Sequence, residues 1–421
     1  MSHLLQFILL LAIIVAAAKL AGAASQRLRQ PSVFGEILVG LLLGPTLLNI
    51  LAWPLFLPHD PAHAPLLGVV RDLAELGVLL LMFIAGLETD LPEMRRVGKV
   101  AFWSAAGGVV LPFAGGVAVA SAFGLPAFWE GIFIGTILTA TSVSISAQTL
   151  IELGALRTRE GSTILGAAVI DDVMGIIVLS FVVAFARGGQ VHYWQFGVVV
   201  LRMALYFALA VAAGRLLAPF ARWAEGLGVS QGLLAAVLVA TFLYAWAAEY
   251  FGGVAAITGS YLAGVLFAQT DLKAQIDDGI HPLTYSMLVP VFFVAIGLQA
   301  NARELGGQVA FTITLVLVAI VAKAVGCGAT ARLLGFDNAE SVRVGVGMIS
   351  RGEVGLIVAG YGLGHGIIAR DVFSASVIMV LATTMVTPPL LRLAFPRGEA
   401  RPRRYVEETV AGPPEETDGE G

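Results

Sequence analysis

Thirteen apolar segments, each close to the length a helix needs to cross a bilayer, occupy nearly the whole chain. They run over 4–24, 33–52, 66–87, 98–122, 127–150, 161–186, 196–217, 230–249, 254–270, 284–300, 307–333, 341–363 and 371–393. About 20 helical residues span the ~30 Å hydrocarbon layer. Inside that layer every backbone N–H and C=O must be satisfied within the segment or by protein. So many such runs fit one fold class, an all-α polytopic membrane protein. Composition agrees: 58% of residues are hydrophobic, 13% are charged and mean hydropathy is +0.87. A globular chain carries about 25% charged residues. The 49 glycines suit closely packed membrane helices. Cys327 is the single cysteine, so no internal disulfide forms, and it reads as a small packed hydrophobe. The opening "MSHLLQFILLLAIIVAAAKLAGAAS" lacks the basic start of a signal peptide and has a long apolar core, which makes it a first span.

Lys and Arg test that count. Connections after odd-numbered spans, together with the C-terminal end, carry seventeen of them, whereas the other side has four, Arg71, Arg187, Arg303 and Arg370. The positive-inside rule then puts the N-terminus outside and the C-terminus in the cytoplasm.

An internal repeat is legible. "FIAGLETDLPE" (83–93) matches "FVAIGLQANARE" (293–304) at an offset of 211 from Gly86/Gly297 to Glu93/Glu304. "GEILVGLLLG" (35–44) resembles "GSYLAGVLFA" (259–268). These matches pair spans 2 and 3 with 9 and 10, and by extension 5 with 12 and 6 with 13. Partners lie an odd number of spans apart, so the halves run in opposite directions. Such inverted-topology repeats are the architecture of secondary transporters, with the binding site at the midplane.

Two spans carry the marks of interruption. Span 5 holds "GTILTATSVSISAQT" (135–149), with seven hydroxyl residues from Thr136 to Thr149. Its partner, "GVGMISRGEVGLIVAGYGLGHG" (345–366), is rich in Gly and carries Arg351 and Glu353 at membrane depth. Ser and Thr can bond back to their own helix and Gly can simply pack. Two such segments at matching repeat positions favour broken helices. Their free carbonyls and hydroxyls offer hard oxygen ligands to a small cation, and opposed half-helix dipoles need charged compensation.

The ionisable residues of the apolar core point to chemistry. In "AAVIDDVMGIIVL" (167–179), Asp171 and Asp172 are the only charges of span 6. Each costs roughly 2.5–3.5 kcal/mol at the bilayer centre on insertion scales, so such residues mark function. Adjacent helical residues point ~100° apart, so the two carboxylates serve different tasks. Lys323, the only charge in "FTITLVLVAIVAKAVGCGATA" (311–331), is the available partner. A buried carboxylate that takes either a proton or a cation, opened alternately to each side, gives cation/proton antiport. Oxygen-only ligands suit alkali ions; there is no His/Cys cluster for zinc or copper and too few carboxylates for calcium. Glu75 is expected to pair with Arg71, Glu36 and Glu249 to lie at interfaces, and Asp277 and Asp278, near His281, to sit in a loop.

In order along the chain, "LLLMFIAGLETDL", "LTATSVSIS", "AAVIDDVMGIIVL", "AKAVGCG" and "GMISRGEVGLIVAG" resemble bacterial sodium/proton antiporters of the monovalent cation:proton antiporter superfamily, of the NapA-like type. Electroneutral relatives have Asn-Asp where this chain has Asp171-Asp172, so the resemblance is to the electrogenic branch. It implies a bacterial inner-membrane homodimer with two crossed, broken helices in its core. Spans 1–3 (residues 1–95) and 8–10 (226–304) form the dimerisation domain, and spans 4–6 (96–190) and 11–13 (305–395) the core. Span 7 (191–225) links the two halves. Carried over by position, Asp172 binds Na⁺ with Asp171 beside it, Asp171 pairs with Lys323, and Thr141 and Ser142 lie at the first break. Glu353, with Arg351, balances charge in the second. The tail 396–421 is too short for the nucleotide-binding domain of potassium-efflux relatives and reads as disordered.

The resulting expectation is a pH-activated Na⁺ (or Li⁺)/H⁺ antiporter with no cofactor, no nucleic-acid partner and no enzymatic activity. Its rivals are a K⁺/H⁺ exchanger on the same scaffold, a Na⁺-coupled solute symporter and an intramembrane aspartyl protease. The protease needs its aspartates on separate helices.

Overall fold

The computed structural model describes residues 2–57, 66–126, 130–186, 193–299, 308–364 and 366–395, all of them in helices, turns and short connections. The first half holds α1 (His3–Arg27), α2 (Ser32–Leu43), α3 (Leu66–Glu88), α4 (Leu91–Ala122), α5 (Ile132–Thr139), α6 (Val143–Glu152) and α7 (Arg159–Ala186). Then come α8 (Tyr193–Ala213), α9 (Leu217–Glu225), α10 (Gly232–Ala247), α11 (Ala256–Phe267), α12 (Lys273–Leu283) and α13 (Val289–Gln299). The chain closes with α14 (Val309–Leu333), α15 (Asn338–Gly347), α16 (Glu353–Gly364) and α17 (Arg370–Ala394). Among the described residues, nine helical stretches are long and apolar enough to cross a membrane, and α2 and α11 are shorter apolar helices. The tail 396–421 lies outside the described residues.

Local chemistry sets the helix limits. Asp90 accepts the Glu93 N–H at 3.1 Å and starts α4. Asp337 and Glu340 form a reciprocal capping box on α15. The second predicted span, 33–52, is shorter than expected. Pro45 forces Gly44 into an extended conformation (φ −72°, ψ −174°), and α2 stops there. The stretch 274–282, expected as a loop, is helical: Ile276 and Ile280, one turn apart, are buried while Asp278 is exposed. It continues through a π-turn, Thr284–Leu288, into α13. Glu36, expected at an interface, is buried within α2. Glu75 does pair with Arg71, at 3.2 Å on an exposed face.

Glycines let helix backbones touch. A Cβ on Gly86 would strike the Tyr261 carbonyl, and one on Gly264 the Phe83 carbonyl, where α3 crosses α11. A Cβ on Gly40 would strike the Val294 carbonyl, and one on Gly297 the Gly40 backbone, where α2 crosses α13. Gly107 and Gly326 abut in the same reciprocal way where α4 crosses α14. Close approach through small residues substitutes for a hydrophobic driving force that lipid does not supply. Helices α1–α3 and α10–α13 thus pack largely with one another, as do α4–α7 and α14–α17.

The α4–α14 crossing makes a sharp prediction. Gly107→Ala overpacks that contact and lowers the thermal midpoint in detergent, at a cost of about 1–3 kcal/mol. Gly98→Ala, in the same helix with nothing within 4 Å of the new Cβ, keeps or raises the midpoint because alanine is the better helix former.

Candidate ion-binding site

Both hydroxyl- and glycine-rich segments break. Helix α5 ends at Thr139, Ala140 turns extended (φ −55°, ψ 140°), and α6 resumes at Val143. Helix α15 ends at Gly347 and α16 begins at Glu353. The two breaks touch: the Ser142 N–H donates to the Ser350 carbonyl at 2.8 Å, and the Ser350 hydroxyl donates back to the Ser142 carbonyl at 2.8 Å. Ser146 donates its hydroxyl to the Gly347 carbonyl at 2.5 Å, and Thr384 donates to the Arg351 carbonyl. Gly352 is required by this contact, since a Cβ there would lie 2.7 Å from Ser142 Oγ.

Four half-helix ends meet at the breaks, and their polar groups need partners. The carbonyl ends of α5 and α15 carry partial negative charge, and a cation lies against each. Lys323 Nζ donates to the Thr139 carbonyl at 2.8 Å. Arg351, fully buried, donates to the Ile349 and Met348 carbonyls at 2.6 and 3.4 Å, and to Ala319 at 3.2 Å. Arg351 is therefore a cap on the α15 end. The side chain of Glu353 lies outside the described residues; its backbone is the first of α16.

Asp171 and Asp172 sit in α7 opposite the breaks. Lys323 Nζ donates to Asp171 Oδ1 at 2.8 Å, with both side chains at or below 1% exposure. Asp171 Oδ2 has no hydrogen-bond partner among the described residues. The stem of Lys323 passes along Gly108, where an added Cβ would come within 3.3 Å of Cε. Asp172, also buried, accepts a hydrogen bond at Oδ2 from the Thr258 hydroxyl of α11 at 3.2 Å.

A small cavity adjoins the pair. It is lined by Thr136, Thr139 and Ala140 of α5, by Asp171, Asp172, Gly175, Ile176 and Leu179 of α7, and by Val354 and Val358 of α16. Thr136 and Thr139 spend their hydroxyl protons on the Ile132 and Thr136 carbonyls, which leaves oxygen lone pairs available. Thr141 and Ser142 are in the break but do not line this cavity; Thr141 Oγ1 is buried without a partner among the described residues. No group of three or more His, Cys, Asp or Glu is placed to hold a metal among the described residues.

Residues 10–394 match the family model described as sodium/hydrogen exchanger, transmembrane. The chain belongs to that family. As a member of the exchanger family it is a membrane ion transporter rather than an enzyme. The Na(+)/H(+)-K(+) antiporter GerN of Bacillus cereus is 41% identical over 391 residues, covering 93% of this chain and 96% of that protein. The Na(+)/H(+) antiporter of Enterococcus hirae is 35% identical over 389 residues, covering 92% and 98%. The sodium proton antiporter MjNhaP1 of Methanocaldococcus jannaschii shares the fold, with a TM-score of 0.65 at 15% identity over 93% of this chain and 97% of that one.

Some contacts of this family member had no signal in the sequence. Thr258 sits in an ordinary apolar helix, and nothing in "AITGSYLAGVLF" marks it. The second role of Lys323, on the Thr139 carbonyl, needs the break in α5 before it can be seen. Thr136 and Thr139 were within reach, since both belong to the hydroxyl run.

Proposed function

We propose that the chain exchanges Na⁺ (or Li⁺) for H⁺ across a bacterial inner membrane by alternating access, with Asp172 as the carboxylate that carries either ion. One observation carries the reading: the two buried aspartates are held differently. Asp171 is tied to Lys323, while Asp172 adjoins a threonine-lined cavity and accepts from a neutral hydroxyl of α11. A carboxylate in that setting trades a proton for a small cation without a resident cofactor.

The further expectations belong to the same proposal. The thirteen spans comprise the nine long stretches, the shorter α2, α11 and α16, and α3, which is 23 residues long with Arg71, Asp72 and Glu75 in its opening turns. The repeat finds support in packing. The sequence match pairs Gly86 with Gly297 and Gly40 with Gly264, and Gly86 meets α11 near Gly264 as Gly297 meets Gly40. Inverted halves place the broken helices at the midplane. The core helices α4–α7 and α14–α17 move as a unit, elevator-like, against a dimerising scaffold of α1–α3 and α10–α13, with the C-terminus cytoplasmic. Glu353, at the first position of α16, compensates that helix's positive end. Asp171–Lys323 opens and closes in step with ion binding, so more than one proton moves per Na⁺ and transport is electrogenic. Exchange rises with pH, because the cation enters only an ionised site.

A K⁺-transporting variant is the second reading, favoured by the likeness to GerN, a Na(+)/H(+)-K(+) antiporter. Proteoliposomes with an imposed pH gradient separate the two. Addition of Na⁺ or Li⁺ outside is expected to dissipate the gradient, and K⁺ to do so at least tenfold less well. Dissipation by K⁺ alone transfers the site to the second reading, and dissipation by none of the three overturns both.

A further inference from the structure

Thr258 brings a polar contact to Asp172 from outside the group of helices carrying the ion site. It belongs to α11, which packs on α3 and α10, whereas Asp172 belongs to α7, which packs on α4, α5, α6 and α15. Its hydroxyl is 3.2 Å from Asp172 Oδ2, and the residue is 2% exposed. Helix α11 carries no charged residue, and Tyr261, its titratable side chain, is committed elsewhere, to Thr89 Oγ1 at 3.1 Å and Met94 Sδ at 3.4 Å. The cations near the dipeptide are also committed: Lys323 of α14 to Asp171 and Thr139, and Arg351 to the carbonyls of its own break and Ala319. Helix α5 contributes threonines and no ionisable group, and Arg202 of α8 binds the Tyr250 and Phe251 carbonyls. The Glu353 side chain lies outside the described residues.

We infer that Thr258 is a positioning residue for exchange: its hydroxyl orients the ionised Asp172 carboxylate and so sets the pH at which a cation displaces the proton. The inference rests on the proposed exchange reaction and on Asp172 as its carrier. A hydroxyl that donates to a carboxylate favours the ionised over the protonated form, and the preference is strong where water is excluded. The contact also has a consequence for movement. Thr258 and Asp172 lie on different helix groups, so a displacement of one group past the other separates them. The carboxylate then loses the Thr258 bond and becomes readier to take a proton. One hydroxyl thereby couples the position of the helices to the charge of the site.

The test uses Thr258→Val, which keeps the shape and removes the hydroxyl, and Thr258→Ser, which keeps the hydroxyl and removes the methyl. Both are reconstituted beside wild type and Asp172→Asn, and Na⁺-driven proton movement is followed from pH 6 to 9. Thr258→Val is expected to shift the activation curve to higher pH by about one unit, the size of one hydrogen bond to a charged group. Thr258→Ser is expected to keep the wild-type curve. Two outcomes overturn the inference: a Thr258→Val curve that overlays wild type, or a Thr258→Ser curve displaced as far as that of Val. Thr258→Ala, read in the same way with the same expected shift, serves if the valine variant does not assemble. Failure of the underlying reaction is distinct: wild type then shows no Na⁺-driven movement, or Asp172→Asn matches it.

Discussion

Asp172→Asn is expected to abolish Na⁺-driven proton movement, with at least a 100-fold loss of rate, while the protein still assembles. Asparagine matches aspartate in size and keeps an oxygen to accept the Thr258 hydroxyl, so the contact at 3.2 Å can persist. It can neither take up a proton nor offer a full negative charge to a cation, so both halves of the exchange are lost together. The stability consequence runs the other way. A carboxylate at membrane depth costs roughly 2.5–3.5 kcal/mol on insertion scales, and its neutral analogue does not carry that cost. The thermal midpoint in detergent should therefore hold or rise. A variant that melts well below wild type would make Asp172 a structural residue and contradict the division of labour between the two aspartates.

The second large effect is on Asp171 and Lys323, whose ion pair at 2.8 Å is closed off from solvent. Removing one member of a buried pair strands the other and costs about 3–5 kcal/mol, whereas replacing both by groups of similar volume is often neutral. Lys323→Met strands Asp171, whose Oδ2 already lacks a partner among the described residues, and also frees the Thr139 carbonyl at the end of α5. Asp171→Asn leaves the ammonium with that carbonyl and with the amide oxygen. Lys323→Met is thus expected to lower the midpoint more than Asp171→Asn, and the double variant to recover much of the loss. A double-mutant cycle on thermal stability reads the coupling, expected at more than 1 kcal/mol. Strict additivity would mean that the pair does not hold the breaks together.

Much of this is legible in the amino-acid sequence. Twenty-residue apolar runs admit only helices in lipid, and charges such as Asp171, Asp172 and Lys323 stand out there because each is costly. The two breaks were legible for the same reason: Thr and Ser in place of Leu, and Gly in place of Ala, weaken a helix where lipid cannot replace its hydrogen bonds. What the sequence hid was local and three-dimensional. The end of α2 at Gly44 turned on a single proline, and the helical stretch 273–283 looked like a loop because its buried face consists of only Ile276 and Ile280. In the site, the resemblance puts Thr141 and Ser142 at the break, where they lie, but the lining of the cavity by Thr136 and Thr139 depends on the rotation of α5. Thr258 could not be found by hydropathy, since one threonine in an apolar helix normally bonds to its own backbone.

The most direct test of the central claim, that one carboxylate holds either a proton or Na⁺, is proton release on binding. Purified protein in weakly buffered detergent solution near its activation midpoint is mixed with Na⁺, and the pH change is recorded against a choline control. Wild type is expected to release protons in stoichiometric amount, saturably with Na⁺, and Asp172→Asn to release none. Equal release from the two proteins, or none from a wild type that exchanges Na⁺ in vesicles, would place the competition somewhere other than Asp172.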